Sequence, residues 1–319
     1  MNDLHSLPKV RDSWSCLYVE HKKIDQEAKA IALHDKAGKV AVPCASLTAL
    51  LLGPGTSITH AAIRALADNG CLVMWTGEGS VRFYAQGMGE TRSAARLLHQ
   101  ARLVSDPQLR LRVVRQLYEM RFPESLDPEL TLQQIRGREG IRVREAYARA
   151  SRETGVKWSG RSYKRDNWFS ADPVNRALSA ANSCLYGVCH AAIVAAGYSP
   201  ALGFIHTGKM LSFVYDIADL YKVELTVPLA FEMTAASTES LESRVRKACR
   251  DSFHENRLLQ RIIPDIEKAL TCGDDDIAAA GDYDGDMALP GGLWDPQTGT
   301  TAGGVNWADE LEGGESSWS

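Results

Sequence analysis

The hydrophobic period of this chain changes once, near residue 90, and that change limits the folds that the chain can adopt. Before the change, short apolar runs such as those at 47–52 and 71–75 are bounded by turn residues, as β-strands are. After it, over 93–270, apolar residues recur at the i, i+3, i+4 spacing of amphipathic helices. The pattern predicts an α+β protein, with a β-sandwich-like N-terminal domain at 1–90 and an all-α C-terminal domain at 91–270.

The last segment of the chain, 271–319, differs from both of these regions. It contains eleven Asp or Glu and ten Gly but no Lys or Arg, and its apolar residues follow no period. Such a segment cannot bury enough apolar surface to offset the entropy that ordering costs. We therefore expect a disordered acidic tail, in which Trp294, Trp307 and Trp318 are either docking anchors for a partner or without a role.

The negative charge of this acidic tail offsets a positive net charge on the rest of the chain. The formal net charge of the chain is −4, yet residues 1–270 carry +7, and 92–165 alone holds 17 Lys or Arg against 8 Asp or Glu. A basic segment with an acidic tail is typical of proteins that bind nucleic acid. Arginines that only cover exposed helix faces would give the same charge.

Several classes of protein are excluded by what the sequence lacks. No apolar run approaches the ~18 residues that a membrane span requires. The start of the chain has no signal-peptide pattern, and the seven cysteines form no C-x-x-C pair. We expect a cytoplasmic protein with reduced thiols and no membrane contact. No phosphate-binding or dinucleotide-binding glycine motif is present, so the reaction is expected to need no nucleotide cofactor.

Three groups of polar residues lie in otherwise apolar helical surroundings. Glu139 stands between two glycines, His206 follows an apolar run, and Asp216 and Asp219 share one helix face because they are three residues apart. One imidazole and several carboxylates form a nitrogen and oxygen ligand set that suits Mn²⁺ and is acceptable to Mg²⁺. Surrounded by arginines, such a set indicates phosphodiester chemistry on a polyanionic substrate.

The same residues also have ordinary interpretations. Glu139 would pair with Arg136 or Arg142 at helical spacing, His206 would be a hydrogen-bonded core histidine, and the two aspartates would form a solvated strip. The glycines on either side of Glu139 each cost ~1 kcal/mol in a helix relative to Ala. We therefore expect that a neighbouring segment or a ligand approaches the backbone there.

Short motifs spread over the chain carry a family resemblance. They are Arg136-Gly-Arg-Glu-Gly140, Ser183-Cys-Leu-Tyr-Gly187, Gly203-Phe-Ile-His-Thr-Gly-Lys209, Leu211-Ser-Phe-Val-Tyr-Asp-Ile-Ala-Asp219 and Ala248-Cys-Arg-Asp251. On these motifs the chain resembles the CRISPR-associated endonuclease-integrases of the spacer-acquisition module, most closely those of subtype I-E. The resemblance extends from about residue 15 to 270, so it does not cover the acidic tail.

The resemblance implies a helical domain that carries a divalent metal ion, Mg²⁺ or Mn²⁺. It assigns the metal ligands to Glu139, His206 and Asp219 and a nearby essential carboxylate to Asp216, so that all four are expected to be catalytic. It also implies a homodimer, and a heterohexameric complex in which two such dimers flank a dimer of a small second adaptation protein. That complex would join the 3′-hydroxyl ends of a short DNA duplex to the CRISPR repeat.

Contacts with double-stranded DNA, both protospacer and repeat, are expected from basic and aromatic side chains. The candidates for backbone contacts are Arg64, Arg82, Arg136, Arg138, Lys209, Lys222 and Arg246, and those for base stacking are Tyr163, Trp168 and Tyr186. His21 stands where well-known subtype members have a tyrosine that braces the end of the duplex. An imidazole there would offer a smaller stacking surface.

The expected activity is metal-dependent integration, in which a 3′-hydroxyl exchanges one phosphodiester for another without ATP. Such integration adds new spacers to a CRISPR array and serves adaptive immunity against foreign DNA. Two other hypotheses stay open: a stand-alone metal-dependent nuclease that acts on branched DNA, and an inert helical scaffold that binds nucleic acid. Metal-dependent strand joining distinguishes them, because the integrase joins, the nuclease only cuts and the scaffold does neither.

Overall fold

The computed structural model describes residues 16–36, 38–78, 82–87, 94–161, 172–271, 293–296 and 299–301. The chain divides into two compact units, 1–277 and 278–319, which are described separately.

The strands of the first unit lie before residue 90 and form two four-stranded sheets. They are β1 (Cys16–Val19), β2 (Lys23–Glu27), β3 (Ala30–Asp35), β4 (Gly38–Pro43), β5 (Ala49–Leu52), β6 (Ser57–Ile58), β7 (Leu72–Thr76) and β8 (Phe83–Gly87). One sheet has the order β1-β5-β7-β8 and the other β4-β3-β2-β6. In the first sheet β1, β5 and β7 are parallel and β8 is antiparallel to β7. In the second, β2, β3 and β4 form an antiparallel meander and β6 runs parallel to β2.

One helix lies among the strands and the others follow them. They are α1 (His60–Asp68), α2 (Ala95–Ser105), α3 (Pro107–Glu119), α4 (Leu132–Thr154), α5 (Pro173–Ala195), α6 (Ser212–Ala218), α7 (Val227–Ala236), α8 (Leu241–Glu255) and α9 (Leu258–Leu270). Helix α5 is central and packs against α6, α7, α8 and α9. By length and composition α5 could cross a membrane, but 67% of its most apolar stretch is buried inside the protein, as in a core helix.

Strand β5 shows how the two regions are joined. Leu50 and Leu52 pack into the core that the two sheets share with α1, whereas Ala49 and Leu51 pack on the opposite face beside Ala191 of α5. Because the strand is buried on both faces, its sequence is continuously apolar rather than alternating. The first sheet is therefore held between the second sheet and the central helix.

The α+β class and the order of strands before helices are confirmed, but several elements differ from the sequence pattern, including the unpredicted short strand β6 (Ser57–Ile58). Strand β2 was not predicted, because Ile24 is its one buried residue and the others are polar. Helix α7 was not predicted either, because most of its residues are apolar and show no polar face. The single helix expected over 209–222 is only α6, and a π-helical turn at Lys222–Thr226 leads from its end region into α7.

In the second unit the structure describes one short antiparallel pair. It joins β9 (Leu293–Asp295) to β10 (Gly299–Thr301), with Trp294 opposite Thr300. The sequence pattern predicts no strand here, so these six residues differ from the expected disorder. Trp and Thr favour strands, and Pro296 between the two strands favours a turn. The rest of the predicted tail beyond Thr271, including Trp307 and Trp318, lies outside the described residues.

Candidate active site

The loop at 199–206 carries His206 and is held by side chains of the first two helices of the helical region. The fully buried amide of Gln100 donates to two loop carbonyls at 3.0 and 2.9 Å and accepts from the Ser199 amide at 2.8 Å. The guanidinium of Arg110 donates to the Phe204 carbonyl at 3.2 and 2.9 Å. These bonds fix a segment that has no helix or strand of its own.

A glycine is required within this loop. A Cβ at Gly203 would overlap the carbonyl oxygen of His206 and lie 2.7 Å from Cβ of Ser212. The motif that begins with this glycine therefore folds back tightly onto the start of α6. The fold-back brings the histidine beside the carboxylates of that helix.

Asp216 of α6 is fully buried and anchors the histidine from behind. Its carboxylate accepts hydrogen bonds from the amides of Phe204, Ile205 and His206 at 2.6, 3.1 and 2.9 Å. Its Oδ1 also lies 2.7 Å from Nδ1 of His206. A carboxylate partner makes Nδ1 the protonated nitrogen, which leaves the Nε2 lone pair available as a ligand.

Asp219 lies on the other side of the imidazole ring. Its Oδ2 is 4.0 Å from Nε2 of His206, and its Oδ1 accepts from Nζ of Lys222 at 2.6 Å. The two aspartates of the 211–219 motif therefore lie at different nitrogens of the His206 ring, Asp216 at Nδ1 and Asp219 near Nε2. Asp216 orients the ring, and Asp219 is the carboxylate that lies beside Nε2, the nitrogen that carries the lone pair.

Glu139 reaches the same place from α4. Arg142 donates Nε and Nη2 to its two oxygens at 2.7 and 3.0 Å, and Nη1 of Arg121 lies 3.3 Å from Oε1. Of the two ordinary pairings considered from the sequence, the one with Arg142 is confirmed. Arg136 is exposed on the surface of α4.

A buried arginine that the sequence did not reveal lies between the two carboxylates. Nη1 of Arg121 is 3.3 Å from Glu139 and 3.6 Å from Asp219, and the side chain is only 4% exposed. Its carbon Cζ lies 4.9 Å from the centre of the Tyr118 ring. A single Arg after an amphipathic helix gives no distinctive signal, so only the tertiary structure could identify it.

A cavity of about 470 Å³ opens beside these carboxylates. Arg142, Arg161 and Lys222 give it a cationic wall, and Tyr186 gives it an aromatic one. Burial lowers the pKa of the Lys222 ammonium, but the Asp219 carboxylate and the Tyr186 hydroxyl outweigh burial and raise it overall. Lys222 therefore stays charged at neutral pH, and the cavity fits an anionic ligand.

Tyr186 is less free to stack on a base than the sequence suggested. One face of its ring lies 4.8 Å from Nζ of Lys222, and its edge meets the ring of Tyr215 with centres 5.0 Å apart. Burial is also the main cause that raises the pKa of its hydroxyl. A stacked base would have to use the other face or displace the lysine.

The structure thus brings together the four residues that were predicted to be catalytic, with Tyr186 and Lys222 beside them. The other described candidates for DNA contacts lie in several places. Arg64 and Arg82 are exposed in the strand region, and Arg136 and Arg138 are exposed on α4. Lys209 is exposed after the histidine loop, and Arg246 lies on α8. Tyr163 and Trp168 lie outside the described residues. Arg246 lines a second cavity of about 140 Å³ together with Lys247 and Arg250.

Three further residues from the sequence analysis lie on the surface. They are Gly137 and Gly140, on either side of Glu139, and His21, which is predicted to face the end of the duplex. A Cβ at Gly137 or Gly140 would meet nothing within 4 Å, so no neighbouring segment of the described chain approaches there, and a ligand remains the alternative. His21 is exposed, with its backbone at φ 54° and its ring against Gly55.

The types of side chain at the site fit a divalent ion, but the ligand atoms are not yet arranged around one common point. Glu139 and Asp219 converge on one nitrogen of Arg121, and Nε2 of His206 lies beside Asp219. Among the residues that the structure describes, no three His, Cys, Asp or Glu side chains stand ready to hold a metal ion. The carboxylate oxygens instead face guanidinium and ammonium groups.

Comparison with known proteins identifies the family of this chain. The family model described as CRISPR associated protein Cas1 matches residues 17–127 and 119–243. A CRISPR-associated endonuclease Cas1 of Thermus thermophilus is 56% identical over 320 residues, which cover 98% of this chain and 96% of the relative. One from Escherichia coli is 44% identical over 272 residues, covering 85% and 89%. A crystal structure of a TtCas1–DNA complex matches with a TM-score of 0.78 at 61% identity, over 83% of this chain and 99% of that one. This chain therefore belongs to the Cas1 family of CRISPR-associated proteins.

Proposed function

We propose that this protein is a metal-dependent DNA endonuclease and integrase of subtype I-E, which inserts spacer DNA into a CRISPR array. The observation that carries the proposal is the convergence of Glu139, His206 and Asp219 beside a cationic cavity. Two further facts support it. The relatives are named as CRISPR-associated endonucleases, and one similar structure is a complex with DNA.

The ligands for Mg²⁺ or Mn²⁺ would be Glu139, His206 and Asp219. When bound there, a divalent ion supplies polarisation of the phosphoryl group and a lower pKa for the attacking hydroxyl. The contribution of the chain is to orient the ligands. Asp216 holds Nδ1 of His206, so that Nε2 faces the carboxylate of Asp219. A carboxylate behind a ligating histidine is the usual way to fix its tautomer.

The cationic wall of the cavity would bind the phosphates of the substrate. Arg142 and Lys222 are held by Glu139 and Asp219, so their positive charges already lie beside the reacting centre. Arg161 extends the wall, and Arg136 and Arg138 continue the charge along the exposed face of α4. Phosphate contacts of this kind position the duplex without reading its sequence.

Integration exchanges one phosphodiester for another, so it requires no nucleotide cofactor. We propose that the protein acts in the cytoplasm as a homodimer, within a heterohexameric complex with a small second adaptation protein of the CRISPR system. The substrates would be a short protospacer duplex with 3′-hydroxyl ends and the duplex of the CRISPR repeat.

An integration assay tests the proposal. A supercoiled plasmid with a CRISPR repeat is incubated with a short duplex, Mn²⁺ or Mg²⁺ and the second adaptation protein, with the wild type and the His206→Ala variant. We expect joining to fall by roughly 100-fold or more in the variant, because a metal ligand is lost, while DNA binding is retained. His254→Ala, at an exposed histidine of α8, is the matched control and should join normally.

The assay also separates the alternatives. If His206→Ala keeps both wild-type joining and wild-type Mn²⁺ affinity, the proposed site is wrong. Cutting of branched DNA without joining would instead support a stand-alone nuclease. Binding with neither reaction would support a scaffold.

A further inference from the structure

Arg121 is the one side chain in the described chain that touches both carboxylates of the proposed metal site. A single atom, Nη1, lies 3.3 Å from Oε1 of Glu139 and 3.6 Å from Oδ2 of Asp219. The same Oδ2 lies 4.0 Å from Nε2 of His206. A positive charge is therefore placed where the proposed ligands come together.

The guanidinium keeps its charge in this buried position, because arginine is not deprotonated in proteins. Two carboxylates that share a small site repel one another unless a cation lies between them. Arg121 supplies that cation from inside the protein, with its side chain only 4% exposed. Arg142 and Lys222 each contact one of the two carboxylates, whereas Arg121 contacts both.

This arginine is not bound as a structural ion pair is. Its contacts of 3.3 and 3.6 Å are longer than the ~2.7–2.9 Å of good charge-assisted hydrogen bonds. Its other two nitrogens, Nε and Nη2, are buried and have no hydrogen-bond partner among the residues that the structure describes. Burying such donors unpaired is costly, so the position is not explained by the stability of the pair alone. The Tyr118 ring, 4.9 Å away, fixes the group by stacking contact rather than by hydrogen bonds.

We propose that Arg121 is an internal counter-cation, a positioning residue that holds Glu139 and Asp219 together when no divalent ion is bound and competes with the ion for the same oxygens. The inference rests on the proposed metal site. It explains why those ligands converge without forming a ready metal cluster. Arg121 would thereby lower the affinity of the protein for divalent ions.

A titration with Mn²⁺ alone tests this, with free Mn²⁺ followed by electron paramagnetic resonance. In Arg121→Met the competing charge is lost, and we expect Mn²⁺ to bind roughly 10-fold tighter, the scale on which one nearby like charge shifts an ionisation. Arg121→Lys restores the charge and should return the affinity toward the wild type. Arg115→Met is the matched control, because Arg115 donates to the backbone carbonyls of Pro128 and Leu130 and touches neither carboxylate of the site.

Thermal unfolding gives a second measurement on the same variants. Arg121→Met should melt at a lower temperature in chelator and show a larger rise in melting temperature on addition of Mn²⁺ than the wild type, since a ligand that binds only the folded state stabilises it. If Arg121→Met does not fold, Arg121→Gln, which keeps amide donors but loses the charge, decides the question.

Two outcomes would overturn different claims. Equal or weaker Mn²⁺ binding by the neutral Arg121 variants, with wild-type binding still abolished by His206→Ala, overturns the counter-cation and leaves the metal site in place. Mn²⁺ binding that is absent or insensitive to His206→Ala overturns the proposed metal site itself.

Discussion

The strand region and the helical region bury polar groups to very different extents. Of the eight buried polar or charged residues in the described chain, only Thr76 lies in the strand region. The other seven belong to the helices and their loops: Gln100, Arg121, Asn175, Asn182, Ser212, Asp216 and Thr226. Burial of such groups is costly unless they are hydrogen-bonded, so the helical core depends on polar partners that the strand core does not need.

The difference shows that the strand region is built mainly on apolar packing, whereas the helical region carries the polar groups of the candidate active site. The strand region depends on apolar burial, as in the shared core around Leu50 and Leu66. In the helical region, Gln100 and Asp216 use their polar groups to hold the loop that carries His206. A network of this kind rigidifies a site when its members are satisfied. The two regions should therefore respond differently when a polar group is removed.

The largest expected effect is at the buried carboxylate. Asp216→Ala leaves three backbone amides and the imidazole without their acceptor, and we expect the free energy of unfolding to fall by about 3–5 kcal/mol. The matched change in the strand region is Asp25→Ala. Its side chain is half-exposed and, within the described part of the chain, pairs with His34 at 3.1 Å, so the loss should be below about 1 kcal/mol. Urea denaturation of both variants measures the contrast, and equal losses would contradict it.

The second effect concerns His190, which joins the two regions. Its ring stacks on Phe83 of β8 with centres 3.8 Å apart, and burial lowers its pKa from 6.5 to about 4. Between these values the unfolded chain binds a proton that the folded protein does not. The stabilisation is therefore complete above about pH 6.5 and is lost as the pH falls toward 4.

His190→Leu checks this pH dependence. Allowing for the partial exposure of the ring, we expect the wild type to lose about 1–2 kcal/mol more than the variant between pH 7 and pH 4. Urea midpoints measured at both pH values give the difference. Parallel pH profiles of the two proteins would show that the junction does not respond to protonation of this residue.

The smallest expected change in stability compares an exposed glycine in a helix, Gly140, with a packed glycine in the strand region, Gly53. Gly140→Ala places a Cβ in open space within α4, and we expect it to stabilise the protein by about 1 kcal/mol. Gly53→Ala would overlap the Tyr18 ring and should destabilise it. If DNA approaches the backbone at Gly140, the alanine variant will be more stable yet bind duplex DNA more weakly. Unchanged DNA affinity would refute that approach.

Much of the fold and part of the site could be predicted from the sequence, for reasons that these residues illustrate. Continuous apolar runs identified β5 and β7, and the spacing of Asp216 and Asp219 placed them on one helix. Spacing could not show that one carboxylate lies behind the imidazole and the other beside its free nitrogen, because that depends on how the loop folds back.

The partners of the site were beyond the reach of local patterns. Gln100 contacts Ser199, which is 99 positions away, and Arg121 contacts Glu139 and Asp219 on two other elements. No periodicity links such residues. Strand β2 was missed for a related reason, since its place in the sheet is decided by its neighbours rather than by its own composition.

The path of the chain through the two sheets has a consequence for folding. The chain enters the first sheet at β1, builds the meander of the second, returns with β5, crosses again at β6 and comes back through α1 to β7. Neither sheet is a continuous stretch of sequence: the second is complete only at β6 and the first only at β8. The β2–β3–β4 meander pairs locally, but the pairings of β1 with β5 and of β5 with β7 close long loops, which slows folding. The strand region is therefore expected to fold and unfold as a single cooperative unit.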